Sequence, residues 1–179
     1  MLPAWGPGLF SRKISGYERR WQLEDKGFTK EGFFEIFRTR FSLDHEPGLL
    51  LELATGDGLV GSLGQWMEKG KCGWKVEAWE HRSSVARQFR RNRPHTLFRE
   101  GRITDWEGGP KQQPDAITLR GVREAAGVCR AIRKKLIQPW WLGVWNPGRR
   151  PVWYRRLRRE GYRLELAWQN VEFYLRSPP

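Results

Sequence analysis

The stretch Glu52-Leu53-Ala54-Thr55-Gly56-Asp57-Gly58-Leu59-Val60-Gly61 joins a G-x-G-x-x-G spacing to two carboxylates, directly after the apolar residues 48–53. Glycines at this spacing let a strand turn tightly into a helix and let backbone N–H groups approach a ligand. A pyrophosphate favours bare N–H groups and the positive end of a helix. Glu52 and Asp57 oppose that anion. A ligand carrying a sulfonium and an ammonium, with no phosphate, is favoured by both charges. Glu80 closes the alternating stretch 74–80, near the ~20-residue spacing of a ribose-binding carboxylate. An ionised carboxylate there can accept both ribose hydroxyls.

These residues need a scaffold of parallel strands and crossover helices. Residues 48–53 read as a strand buried on both faces, with only Glu52 polar. A helix over 59–69 follows, then a strand over 74–80 and a helix from Ser83, as its cap, to Asn92 with Val85 and Phe89 inward. Thr96-Leu97-Phe98 and residues 115–119 give the third and fourth strands. Ala125, Cys129, Ile132 and Leu136 recur at helical spacing, with Arg130, Arg133, Lys134 and Lys135 on the other face. Residues 140–145 form a fifth strand. Pro151 suits the first turn of a helix with Trp153 and Leu157 inward, which Gly161 ends. Residues 162–168 and 171–175 close the chain as an antiparallel hairpin across Gln169-Asn170. The expected architecture is α/β: a doubly wound, seven-stranded, mostly parallel sheet with a C-terminal antiparallel hairpin. Residues 1–47 form an aromatic and basic helical arm before the domain of residues 48–179. Phe33, Phe34, Ile36, Phe37 and Phe41 give the arm a broad apolar face, which packs over the core or closes the ligand site.

The 179 residues suffice for one core. No apolar run reaches the ~20 residues of a membrane span, and Met1 to Gly8 lacks the pattern of a secretory signal, so a cytoplasmic location is expected. Cys72 and Cys129 read as reduced, with Cys129 in the core. His45, His81 and His95 lack metal-ligand spacing, so no metal is expected. The net charge of +13, largely arginine, would attract polyanions such as RNA, DNA or acidic lipid surfaces.

With Glu52-Leu53-Ala54-Thr55-Gly56-Asp57-Gly58 and Glu80 in place, residues 48–176 resemble the Rossmann-like S-adenosylmethionine-dependent methyltransferases, whose first motif is an acid followed by a G-x-G-x-G loop. The hairpin entered at Gly161-Tyr162-Arg163 and ending Asn170-Val171-Glu172-Phe173-Tyr174-Leu175 is similar to the C-terminal part of FkbM-type O-methyltransferases. The resemblance implies that Glu52, the backbone of Ala54, Gly56 and Gly58, and the intervening Asp57 border the methionine part of S-adenosylmethionine. It further implies that Glu80 takes the ribose, that Ile103 packs on the adenine and that Asp105 lies near its amino group. Ala54 stands where the family usually has its first glycine. In Thr118-Leu119-Arg120-Gly121-Val122-Arg123-Glu124, Arg120 replaces an acid expected near the reacting centre, so no general base is named. Aligning the acceptor with the sulfonium can carry methyl transfer without one. The implied activity is methyl transfer to an O or N nucleophile, on a small hydroxylated molecule or RNA. The competing expectation is a basic nucleic-acid or partner-binding module on a methyltransferase scaffold without catalysis.

Overall fold

The computed structural model describes residues 30–41, 43, 48–54, 62–71, 73–102, 112–120, 122–145, 152–168 and 171–177. Helix α1 (Lys30–Arg40) precedes strand β1 (Leu49–Leu53); helix α2 (Ser62–Trp66) then widens into a π-helical turn, Met67–Lys71. Strand β2 (Lys75–Glu80), helix α3 (Ser83–Asn92), strand β3 (Leu97–Glu100) and strand β4 (Ala116–Arg120) follow. Helix α4 (Val122–Arg133), strand β5 (Trp141–Trp145), helix α5 (Val152–Arg159) and the strands β6 (Tyr162–Trp168) and β7 (Val171–Arg176) complete the chain.

The seven strands form one sheet in the order β3-β2-β1-β4-β5-β7-β6. Pairing is parallel from β3 to β5, and β7 runs antiparallel to both β5 and β6. This is the seven-stranded α/β sheet with an antiparallel end that the alternation of the sequence implies. Leu49-Leu50-Leu51-Glu52-Leu53 is buried at every position, as a central strand covered on both faces must be.

The two faces hold separate cores. Leu50, Val76, Ala116, Trp141 and Phe173 meet Phe34, Phe37 and Phe41 of the arm on one face. Leu51, Ile117, Leu142 and Tyr174 meet Val128, Cys129, Ile132 and Leu157 on the other. Phe37, fully buried, lies edge-on to Trp141 at 5.1 Å and 4.6 Å from Phe173, ring centre to ring centre. The aromatic spacing of the arm therefore serves the core beneath β5 and β7. Truncating such a ring typically costs about 3–5 kcal/mol.

Several local expectations change. Arg82, not Ser83, occupies the N-cap position of α3, with extended backbone and no capping side chain; the Ser83 hydroxyl instead donates to Glu100 Oε1 at 2.6 Å. Ala86 takes the buried place beside Phe89 that was assigned to Val85. Strand β3 starts one residue later than expected, at Leu97. Leu136 lies beyond α4 and is exposed. Lys135 adopts φ 57° just after that helix, while the Leu136 N–H donates to Ala131 O and the Lys135 N–H to Ile132 O. That crossed pair closes the helix end with a left-handed residue and turns Leu136 off the apolar stripe. Gly161, at φ 88°, ends α5 as its type allows. Pro151, Cys72, His45 and Gln169-Asn170 lie outside the described residues, as does the side chain of Trp153.

Candidate functional site

Parallel pairing aligns the ends of β1 and β2. Leu53 faces Trp79 in register, so the chain leaves β1 at Ala54 beside the last residue of β2, Glu80. Ala54 has φ 55°, a left-handed conformation that a side chain disfavours. This explains why a glycine suits the position: the turn out of β1 needs positive φ at its first residue.

Period-two alternation places Leu50 and Glu52 on the face shared with Val76, Ala78 and Glu80. Both acids are buried, yet they are held differently. Glu80, with no exposed surface, accepts at Oε1 from the N–H groups of His81 and Arg82, each at 3.0 Å, and from Arg82 Nε at 3.1 Å. His81 Nδ1 lies 3.2 Å from the same oxygen. The Gly101 N–H, just past β3, donates to the Glu80 carbonyl at 3.0 Å. Glu80 thus sits in a turn tied to the end of β3, with consecutive backbone donors orienting its carboxylate.

Glu52 is enclosed one pair of positions earlier, opposite Ala78. Its Oε2 accepts from Arg93 Nη1 at 2.6 Å, and its carboxylate lies against Gly64 so closely that a Cβ there would collide with it. Arg93 Nη2 reaches Glu68 at 3.0 Å, Nε reaches the Thr96 hydroxyl at 3.2 Å, and the guanidinium stacks 5.0 Å from the Phe89 ring centre. Burial pushes the Glu52 carboxyl up to about 7, against the opposing pull of Arg93. One arginine therefore ties β1, the π-helical turn and the end of α3 together.

Of the expected site residues, Glu52, Ala54 and Glu80 come together where β1 and β2 end. Gly56, Asp57, Gly58, Ile103 and Asp105 lie outside the described residues, as does Trp106. Arg120 is the last residue of β4, the strand on the other side of β1. Arg93 went unnoticed as a site-forming residue because it ends a run of surface arginines. The signal was its position: with Ala86 and Phe89 it completes the i, i+3, i+7 stripe of a buried helix face.

The fold has solved counterparts. A TehB-like SAM-dependent methyltransferase from Corynebacterium glutamicum is similar over 87% of this chain and 92% of its own, with TM-score 0.55 and 14% identity. A precorrin-6y C5,15-methyltransferase from Geobacter metallireducens is similar over 80% and 87%, with TM-score 0.56 and 14% identity. A methyltransferase from Pyrococcus furiosus is similar over 82% and 81%, with TM-score 0.52 and 18% identity. No family model and no curated protein matches the sequence. At these identities the likeness concerns the fold: a Rossmann-like sheet of the kind found in SAM-dependent methyltransferases. The β5-β7-β6 end belongs to that wider fold, so the C-terminal hairpin does not single out the FkbM-type group.

Proposed function

We propose that this chain binds S-adenosylmethionine at the carboxyl edge of β1 to β3 and transfers its methyl group to an O or N nucleophile. The observation that carries the reading is Glu80: a buried carboxylate at the end of β2, oriented by consecutive backbone N–H donors beside the left-handed turn at Ala54. Ligands of open α/β sheets bind at this edge, outside the carboxyl ends of the strands.

The chemistry of the side chains fits the cofactor. Glu80 can only accept hydrogen bonds when ionised, which suits the two ribose hydroxyls. The loop from Ala54 through Gly56, Asp57 and Gly58 would border the methionine part, and Ile103 and Asp105 the adenine. Glu52 contributes differently in this reading: paired with Arg93, it fixes the end of β1 from which the chain leaves at Ala54. When bound, the cofactor supplies a sulfonium-activated methyl group. The chain's part is to hold that group and the acceptor in line and to keep water away, which alone can lower a bimolecular barrier by about 7–11 kcal/mol. The acceptor is a small hydroxylated molecule or RNA, and the reading names no general base. The likeness to methyltransferases favours this over a binding module without catalysis.

Isothermal calorimetry with S-adenosylhomocysteine tests the cofactor. Saturable one-site binding in the ~1 μM to 1 mM range of ordinary enzyme ligands, weakened about 100-fold by Glu80→Ala through loss of two charge-assisted hydrogen bonds, is expected. No heat at millimolar ligand, or unchanged affinity in Glu80→Ala, would contradict it.

A further inference from the structure

Crossover connections impose a polarity on this molecule. A helix joining strands of the same sense starts at the carboxyl edge of the sheet and ends at the amino edge. Helices α3, α4 and α5 are of this kind, since β2 and β3 are parallel, β4 and β5 are parallel, and β5 and β6 both run against β7. The last turns of all three are basic: Arg90 and Arg91 in α3, Arg130 and Arg133 in α4, and Arg156, Arg158 and Arg159 in α5. The topology therefore brings these cations to one edge, opposite the turn at Ala54 and Glu80.

Lys134 and Lys135 extend the cluster just past α4, and Arg133 Nε reaches Glu160 at 3.1 Å, which joins the ends of α4 and α5. Arg176 Nη1 reaches Gln138 Oε1 at 3.1 Å, bringing the end of β7 to the same corner. One or two cations suffice to offset a helix dipole; three in the last turn of the eight-residue α5 exceed that need. The described acids at this edge are already engaged. Glu160 holds Arg133, Glu68 holds Arg93, and Asp115 Oδ2 accepts from the Leu49 N–H at 2.8 Å. Among the described residues no acid pairs with the exposed Arg91, Arg130, Arg158 or Arg159.

The geometry points to the amino edge, centred on the ends of α4 and α5, as a docking surface for the phosphate backbone of a double-helical nucleic acid. Arginine supplies 24 of the 33 cationic residues of the sequence, and its planar fork matches phosphate oxygens better than lysine does. Insertion into a membrane surface would need apolar side chains beside the charges. Among the described residues Leu136 alone is a large apolar side chain exposed in this corner, at 36%. No exposed aromatic ring is described there on which single-stranded bases could stack. Recognition would therefore be of the backbone, without sequence preference. This surface lies at the opposite edge from Glu80, so it would anchor the protein rather than present the methylated group, and it stands independently of the cofactor reading.

Fluorescence anisotropy tests it with labelled RNA and DNA duplexes of about 20 base pairs, titrated at several salt concentrations. Binding to at least one duplex with a steep salt dependence is expected. The double variant Arg158→Glu/Arg159→Glu should weaken it about tenfold or more and reduce the log–log salt slope by about 2, with S-adenosylhomocysteine calorimetry unchanged. Circular dichroism checks the fold, and Arg130→Glu/Lys134→Glu repeats the test from α4 should the first pair not fold. Absent or salt-insensitive binding, unchanged affinity in folded charge-reversal variants, or tighter binding to phosphatidylserine-containing vesicles than to either duplex would overturn the proposal.

Discussion

Glu52 and Glu80 lie near the ends of adjacent strands, point to the same face of the sheet and are both buried, but they are held differently. Around Glu52 the protein has placed a side-chain cation, Arg93, and closed the space with Gly64. Around Glu80 it has placed backbone N–H groups of the turn that follows, with the half-exposed Arg82 guanidinium and the His81 ring at the same oxygen. A carboxylate bonded to a buried arginine is committed to the fold. On the proposed reading, a carboxylate oriented by its own turn at the carboxyl edge of the sheet would serve a ligand, and equal burial would conceal a division between holding the scaffold and holding the cofactor.

The division is broken most severely at Arg93. Arg93→Met should destabilise the protein by about 3–5 kcal/mol, because it leaves Glu52 buried without its cation and releases Glu68 and Thr96 together. Urea denaturation measures this, and a loss below about 1 kcal/mol would mean that the ion pair does not fix β1.

Next in size is the pH dependence of Glu52. Its carboxyl is raised from 4.5 to about 7 in the folded state, so the folded protein binds the proton more tightly than the unfolded chain. Stability from this group is fully present below pH 4.5 and is lost as pH rises to about 7. The full loss amounts to about 3 kcal/mol. Urea midpoints across that range should fall with rising pH, and Glu52→Gln should remove this part of the slope. An unchanged slope in the variant would place the titration elsewhere.

The smallest effect concerns the turn between the two acids. Ala54→Gly relieves a left-handed alanine, worth about 1–2 kcal/mol, and adds about 0.5–1 kcal/mol of unfolded-chain entropy. The net expectation is a stabilisation of about 0.5–1 kcal/mol, read as a rise in melting temperature. A destabilised variant would show that the alanine methyl packs favourably enough to outweigh the backbone conformation.

Much of the fold was legible in the residue pattern, because strand positions and helix faces follow from hydrophobic period. The run 49–53, the alternation of 75–80 and the stripe of Ala125, Cys129 and Ile132 all carry it. Leu136 misled because its spacing continues the stripe while a local backbone motif at Lys135 ends the helix. The placement of Glu52 and Glu80 on adjacent strands was legible from the strand pattern, whereas Gly56 and Gly58 lie outside the described residues. The partner of Glu52 was not legible. Arg93 is 41 positions away in sequence, and a buried cation and a solvated one share the same letter. Only the helical phase of Arg93 distinguishes it from Arg90 and Arg91.

The comparison comes to one experiment, calorimetric titration of S-adenosylhomocysteine into Glu52→Gln and Glu80→Gln beside the unmodified protein. Glu80→Gln should bind about tenfold or more weakly, having exchanged charge-assisted for neutral hydrogen bonds at the ribose. Glu52→Gln should retain affinity within about threefold, since its amide meets Arg93 rather than the ligand. Equal affinity in the two variants, or a larger loss in Glu52→Gln, would contradict the division of roles between the two acids.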